Sequence, residues 1–352
     1  MTQLPPLLTA YAATVSALLG AVSASAIGCA ATRAAKKEAE AEKQNQKEQI
    51  SQKEEQKEGN FAASCDKNGS DDGKNGKNKG ESFFRGRSHC DFCGVTLSPA
   101  DLVPVFSYIF LRGRCRRCGA RLSALYPVTE ALLAVAFALA FIFFGISAHT
   151  AELFVLFSIL LYISVYDIKS YLIPDGALIL ALAVRAVFIL TSGNIVGELI
   201  RSAVGALSVS LPLLFITLIM ERIIGREAMG GGDIKLFFVV GYYLGWSLTL
   251  LTLIFACIIG IVFGTIAIGI ADKRRGAVRE TDNGSDTVSD DNKEKERNNK
   301  YISHDSEKTA SDGSSGDETA AHMIPFGPSI AAGAAIAALV GEQIIIFYLG
   351  LF

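Results

Sequence analysis

No lysine or arginine precedes the first apolar stretch, Leu4–Ala31. A secretory signal has a positive n-region ahead of a short apolar core. Its absence favours a retained first membrane span. Histidine is scarce, at four in 352 residues. His149, His304 and His322 stand isolated, and His89 adjoins Cys90 without adding a needed ligand. Neither sign of charge dominates, the formal net charge being −2. That balance leaves no basic footprint for a nucleic-acid partner.

Hydrophobic residues are abundant, at 50% of the chain, and they gather in long runs. Pro127–Ser147, Leu153–Tyr166, Ile195–Met220, Leu248–Ile270 and Ile330–Phe352 are the clearest. A run of about 20 apolar residues reads as a membrane helix. The fold class expected is an all-α polytopic membrane protein, with membrane lipids around it. Eight spans are expected: 5–31, 127–147, 150–166, 173–192, 197–220, 234–246, 247–270 and 326–352. The sixth is short for a full crossing.

Lysine and arginine favour the cytoplasmic side of short loops. "GISAHTAE", "TSGNIVGE" and "GWS" have neither, whereas "RGRCRRCGAR", "DIKS", "ERIIGRE" and "DKRRG" have both or one. Both chain ends are therefore expected outside and the basic loops inside. Arg185 and Arg201 are the exceptions, in the outer halves of their spans. Matched depth suggests a pair between Arg185 and Glu342, with Glu198 as the alternative partner.

The stretches 33–80 and 272–321 are rich in Lys, Glu, Asp, Asn, Gly and Ser. With so few large apolar residues they cannot bury a core. The organisation read is 1–32 first span; 33–80 polar insert, disordered or a charged helix; 81–126 tetracysteine module; 127–271 transmembrane core; 272–321 disordered polar insert; and 322–352 last span.

Two aspartates stand at one expected depth, the cytoplasmic membrane boundary. Asp167 ends the third span in "YDIKSYLIPD", and Asp233 opens the sixth in "GGGDIK". Carboxylates at membrane depth are costly and default to functional candidates. Two that approach closely cannot both ionise easily, so the pair holds one proton and offers an acid and a base. Such a pair activates water and protonates a leaving amine, which is aspartic peptidase chemistry. Alone, each is equally well an interfacial acid or a helix cap. Gly230, Gly231 and Gly232 allow a close approach or a positive φ ahead of the helix. Asp175 is open to two readings, a third active-site acid or, preferred, a helix-start charge after Pro174. Lys169 and Lys235 either favour the ionised form of one aspartate or, preferred, anchor their helices to anionic headgroups.

Cys90-x2-Cys93 and Cys115-x2-Cys118 are separated by 21 residues, and each pair is followed by glycine. This is the spacing of a four-thiolate zinc site in a reducing compartment. Cys29, Cys65 and Cys257 have no partner spacing.

The stretches "HCDFCGVTLSPADLVPVFSYIFLRGRCRRCGARLSALYPVTEALLA", "YDIKSYLIPD", "AMGGGDIKLFFVVGYYLGW" and "MIPFGPSIAAG" together resemble the bacterial type IV prepilin peptidases. The resemblance covers about 81–271 and 322–352 and omits the two polar inserts. It implies a membrane aspartic endopeptidase of the cytoplasmic membrane, cleaving after glycine at the cytoplasmic face. The implied partners are prepilin-like or pseudopilin substrates. Asp167 and Asp233 carry over as the catalytic pair, and Cys90, Cys93, Cys115 and Cys118 as the metal-binding module with zinc. Glu130 matches a family position near the cytoplasmic end of the second span. Many members also methylate the new N-terminus with S-adenosylmethionine. Here the chain departs: "GAVSASAIGCAATRAAKKE" stands where the family has a Gly-Ser-Phe-x-Asn-like stretch, and the Asn is missing. Three other readings stay open: an intramembrane aspartic peptidase of the preflagellin or presenilin-like type, a transporter, and a membrane scaffold with a zinc knuckle.

Overall fold

The computed structural model describes residues 6–59, 93, 95, 105–225, 230–282 and 325–351. Regular structure among them is helical: α1 (Pro6–Gly59), α2 (Phe106–Phe110), α3 (Leu125–Phe144), α4 (Ala148–Ser170), α5 (Asp175–Thr191), α6 (Ile195–Ile224), α7 (Gly231–Leu244), α8 (Trp246–Asp282) and α9 (Gly327–Leu349). Eight of these, all but α2, fall where apolar runs lie in the sequence. Six are long and apolar enough to cross a membrane, namely α1, α3, α4, α6, α8 and α9. The short member foreseen, α7, has 14 residues, and α5 has 17. At 1.5 Å per residue these reach roughly 21 and 25 Å, against a hydrocarbon core of about 30 Å.

Large apolar side chains stand exposed along these helices, among them Leu132, Val187, Leu190, Phe215, Ile254 and Phe263. A water-soluble protein would bury so many, because each exposed apolar side chain costs about 1.5–3 kcal/mol relative to burial. Lipid removes that cost, and the chain is a multi-pass membrane protein.

The core is centred on α4. Its Leu153, Leu156, Phe157, Leu160 and Ile163 are buried with residues of α3, α5, α7 and α9. Ser147 caps the start of α4 by accepting the Thr150 N–H. Tyr171, in the left-handed region at φ 54°, ends it. In lipid there is little hydrophobic drive between helices, so close approach of small residues has to supply the packing. On α1, Ser16, Gly20, Ala24, Gly28, Ala31 and Ala35 form one buried stripe. A Cβ at Gly20 would lie 2.7 Å from the Leu133 carbonyl oxygen of α3, which is how close the two backbones run. Helix α9 repeats the device with Ala331, Ala334, Ala337 and Ala338.

Helix α1 runs without a break from Pro6 through the charged stretch to Gly59. Residues 60–80 of the first insert and 283–321 of the second lie outside the described residues. The chain divides into two units, Met1–Cys257 with Pro325–Phe352, and Ile258–Ile324. All candidate site residues belong to the first. The described part of the second is the later length of α8, to Asp282.

The outer polar cluster differs from expectation. Arg185 does not pair with Glu342, which α9 turns to the exterior. Its Nη1 reaches Glu152 Oε1 at 2.6 Å and its Nη2 reaches Glu198 Oε2 at 2.9 Å. Ser202 Oγ is a further acceptor at 3.2 Å. Glu198 was the alternative partner, whereas Glu152 was overlooked. The carboxylates come from the second turn of α4 and the first turn of α6, the helices on either side of α5 in the chain.

Candidate active site and metal module

At the opposite end of α4 from Glu152, four chain segments meet. Asp167 lies one turn before the end of α4 and is buried. The turn that follows carries Ile173, against which Gly232 of α7 packs so closely that a Cβ would sit 3.1 Å from the Ile173 Cβ. Asp233 is therefore brought to the same end of the bundle, in the first turn of α7. Its N-cap is Gly230, so Asp233 is not the cap itself. Gly230 has φ −61° and both following glycines are helical, so the expected positive φ does not occur there. Close approach at Gly232 is what the glycine run provides.

The fourth segment is the start of α9. Gly327 N–H donates to Oδ2 of Asp167 at 2.9 Å. Asp167 of α4 and Asp233 of α7 are near enough for electrostatic coupling. Around them, Lys235 Nζ bonds Asp175 Oδ1 at 2.7 Å and joins the first turns of α5 and α7. Asp175 is thus a helix-start charge with a partner, and Lys235 is engaged there. Beside Asp167, the Tyr166 hydroxyl donates to the Glu38 carboxylate, fastening α1 to α4.

The second constellation is the cysteine module. Sγ atoms of Cys93, Cys115 and Cys118 lie within 4.8 Å of one another. Cys90 lies outside the described residues. The second knuckle is built by backbone geometry. Cys115 N–H bonds the Ala120 carbonyl at 2.8 Å, and Gly119 N–H bonds the Cys115 carbonyl at 3.0 Å. Gly119 takes φ +70°, which its lack of a Cβ permits, and turns the chain back under the sulfurs. A bridge between Arg114 and Arg121 closes the loop. Three thiols converging in this way can hold a metal ion.

A tether links this module to the bundle. Glu130, buried on α3, accepts the Val105 N–H at 2.8 Å, just ahead of α2. Sequence reasoning singled out Glu130 but not its partner. Nothing in "MIPFGPSIAAG" marks Gly327 out in the sequence, and Glu38 stands there as one acid among many in a charged stretch.

A helical bundle with these exposed apolar faces, two acids at one end and a cysteine knuckle defines a multi-pass membrane protein with a candidate aspartic site. Residues 18–144 match the Bacterial Peptidase A24 N-terminal domain, and residues 154–265 match the Type IV leader peptidase family. The chain is 32% identical over 270 residues to a prepilin leader peptidase/N-methyltransferase of Bacillus subtilis (strain 168), covering 76% of this chain and 87% of that protein. It is 33% identical to one of Pectobacterium carotovorum subsp. carotovorum, covering 52% of this chain and 65% of the relative. It is 34% identical to one of Burkholderia pseudomallei (strain 1026b), covering 51% and 58%. The chain thus spans most of the first relative and less than two thirds of the other two. No solved structure matches. The chain belongs to the type IV leader peptidase family.

Proposed function

We propose that this protein is a membrane aspartic endopeptidase that removes the leader from type IV prepilin-like or pseudopilin proteins at the cytoplasmic membrane face. Asp167 and Asp233 are its catalytic pair. What supports the reading is that two acids 66 positions apart in the sequence lie at one end of the bundle, near enough for electrostatic coupling. One carboxylate accepts a proton from water while the other donates to the substrate carbonyl. The relatives' printed names supply the substrate class. The basic loops support a cytoplasmic position for this end of the bundle.

Cys90, Cys93, Cys115 and Cys118 are proposed as a structural zinc site. Tetrahedral Zn–S bonds of about 2.3 Å place sulfurs about 3.8 Å apart, and the three described sulfurs lie within 4.8 Å of one another. The metal would fix the fold of the 81–126 module, with Glu130 anchoring that module to the bundle. The stretches 33–80 and 272–321 are polar inserts in this organisation.

The relatives' names favour a second activity, methylation of the new N-terminus with S-adenosylmethionine as donor. One preparation tests both. The full chain is co-expressed with a prepilin-like substrate, and leader removal is read as a gel shift. The same membranes are then given labelled S-adenosylmethionine. An unprocessed substrate would reject the peptidase. A processed but unlabelled product would reject the methyltransferase alone.

A further inference from the structure

Gly327 lies at the start of α9, in a motif to which the peptidase reading assigns no role. We infer that Gly327 is a positioning residue for the dyad: its N–H pins Oδ2 of Asp167, making Asp167 the proton acceptor and Asp233 the proton donor. This rests on the peptidase reading and adds an order to the pair.

The first N–H groups of a helix have no partner within it. That of Gly327 is used on Asp167 Oδ2, at 2.9 Å. A backbone N–H stabilises a carboxylate in its ionised form, and the positive end of the α9 dipole adds to this. A Cβ at residue 327 would stand 2.7 Å from that same oxygen and 3.2 Å from Cγ of Asp167. Any side chain there has to displace the carboxylate, so glycine is required by contact and not by backbone angle. Asp233 is placed differently. Its own N–H bonds the Gly230 carbonyl, and among the described residues its carboxylate receives no hydrogen bond.

Other charges near the pair are already engaged. Lys235 is held by Asp175, Glu38 by Tyr166, and Glu130 by the Val105 N–H. Lys169, in the last turn of α4, is two positions from Asp167 along the same helix and makes no ion pair with it among the described residues. Among the described residues, the N–H of Gly327 is the hydrogen bond that one acid of the pair receives and the other does not.

The step follows. Oδ1 of Asp167, the oxygen Gly327 does not occupy, takes one proton from water. The water oxygen bonds to the scissile carbonyl carbon. The carbonyl π pair moves to its oxygen, which takes the proton of Asp233. The gem-diol then returns a hydroxyl proton to Asp233, Asp167 gives its proton to the amide nitrogen, and the C–N bond breaks. Both carboxyls end as they began, and one water has been consumed.

The test is a pH–rate profile of the solubilised full chain on a prepilin-like substrate. Two forms are compared with wild type: Gly327→Ala, and a chain carrying glycolic acid at 327, which removes the N–H and adds no side chain. Hydrogen bonds to charged groups correspond to about one pH unit or more. The acid limb of kcat should move toward neutrality by about one unit in both, with KM little changed. A lesion that only loosens the bundle lowers the rate at all pH values and leaves the limb in place. If Gly327→Ala fails to accumulate, the ester form decides. An acid limb unmoved in the ester form overturns the assignment while the peptidase stands. A wild-type chain that cleaves no prepilin overturns the peptidase and this order with it.

Discussion

Glu130 of α3 holds the backbone N–H of Val105 at 2.8 Å, across 25 positions of chain. Val105 sits at φ 59°, a region a β-branched residue rarely enters. Such a conformation persists only where surrounding contacts impose it. Glu130→Ala removes the acceptor, and the segment ahead of α2 should relax. Glu130→Gln keeps a side-chain oxygen and should behave nearly as wild type. Thiol labelling of the cysteines in native membranes reads this. Faster labelling is expected for the alanine variant and unchanged labelling for the glutamine variant.

The buried cluster at the other end of α4 gives a stability prediction. Arg185 and Glu152 are both nearly closed to solvent, and breaking this pair leaves Arg185 with the partly exposed Glu198 as its remaining counter-charge. Leaving a buried charge wholly unpaired costs about 3–5 kcal/mol, and the Glu198 contact should hold the loss below that. Glu152→Gln should therefore lower the melting temperature of the detergent-solubilised protein clearly. Glu198→Gln should lower it less, because that carboxylate is partly exposed. Reversing Arg185 together with Glu342 should give no rescue.

Metal removal is the third test. If zinc organises the knuckles, purified protein should contain one zinc per chain. A strong chelator should then expose the thiols to alkylation. Loss of the ligand set also costs folding energy, so Cys115→Ser should lower yield or melting temperature. Zinc-free protein with cysteines already fully reactive would remove the metal from this account.

Much of the helix order was legible in the sequence because long apolar runs carry it. The facing of those helices was not. A helix that is apolar nearly all round has no periodicity to say which side meets a neighbour. For this reason Arg185 was matched to Glu342 by depth alone, while Glu152 and Glu198 lie on the helices that flank α5. Asp167 and Asp233 were legible as single acids at the ends of apolar runs. The hydrogen bond from Gly327 to Asp167 was not, because it joins positions 160 apart and involves a backbone atom. Of the two roles the sequence left open for the glycine run before Asp233, close approach holds and positive φ does not. Its partner, Ile173, could be known only once the α4–α5 turn was placed.

The last prediction separates the three aspartates at this end of the bundle. Asp175 and Lys235 are both well exposed, so their bond is worth roughly 0–1 kcal/mol and weakens in salt. Asp175→Asn should leave leader cleavage within a few-fold of wild type. Asp167→Asn and Asp233→Asn keep side-chain size but cannot cycle a proton. Proton transfer by a positioned group contributes about 10²–10⁴-fold, and each of these variants should lose at least that much. The two losses should not add, because the carboxyls act as one unit: the double variant should be little slower than either single. Initial rates on one prepilin-like substrate, at equal protein levels, give all four values. Near wild-type cleavage by either Asn variant would remove that residue from the pair. A double variant slower by the product of the single losses would mean the two act independently.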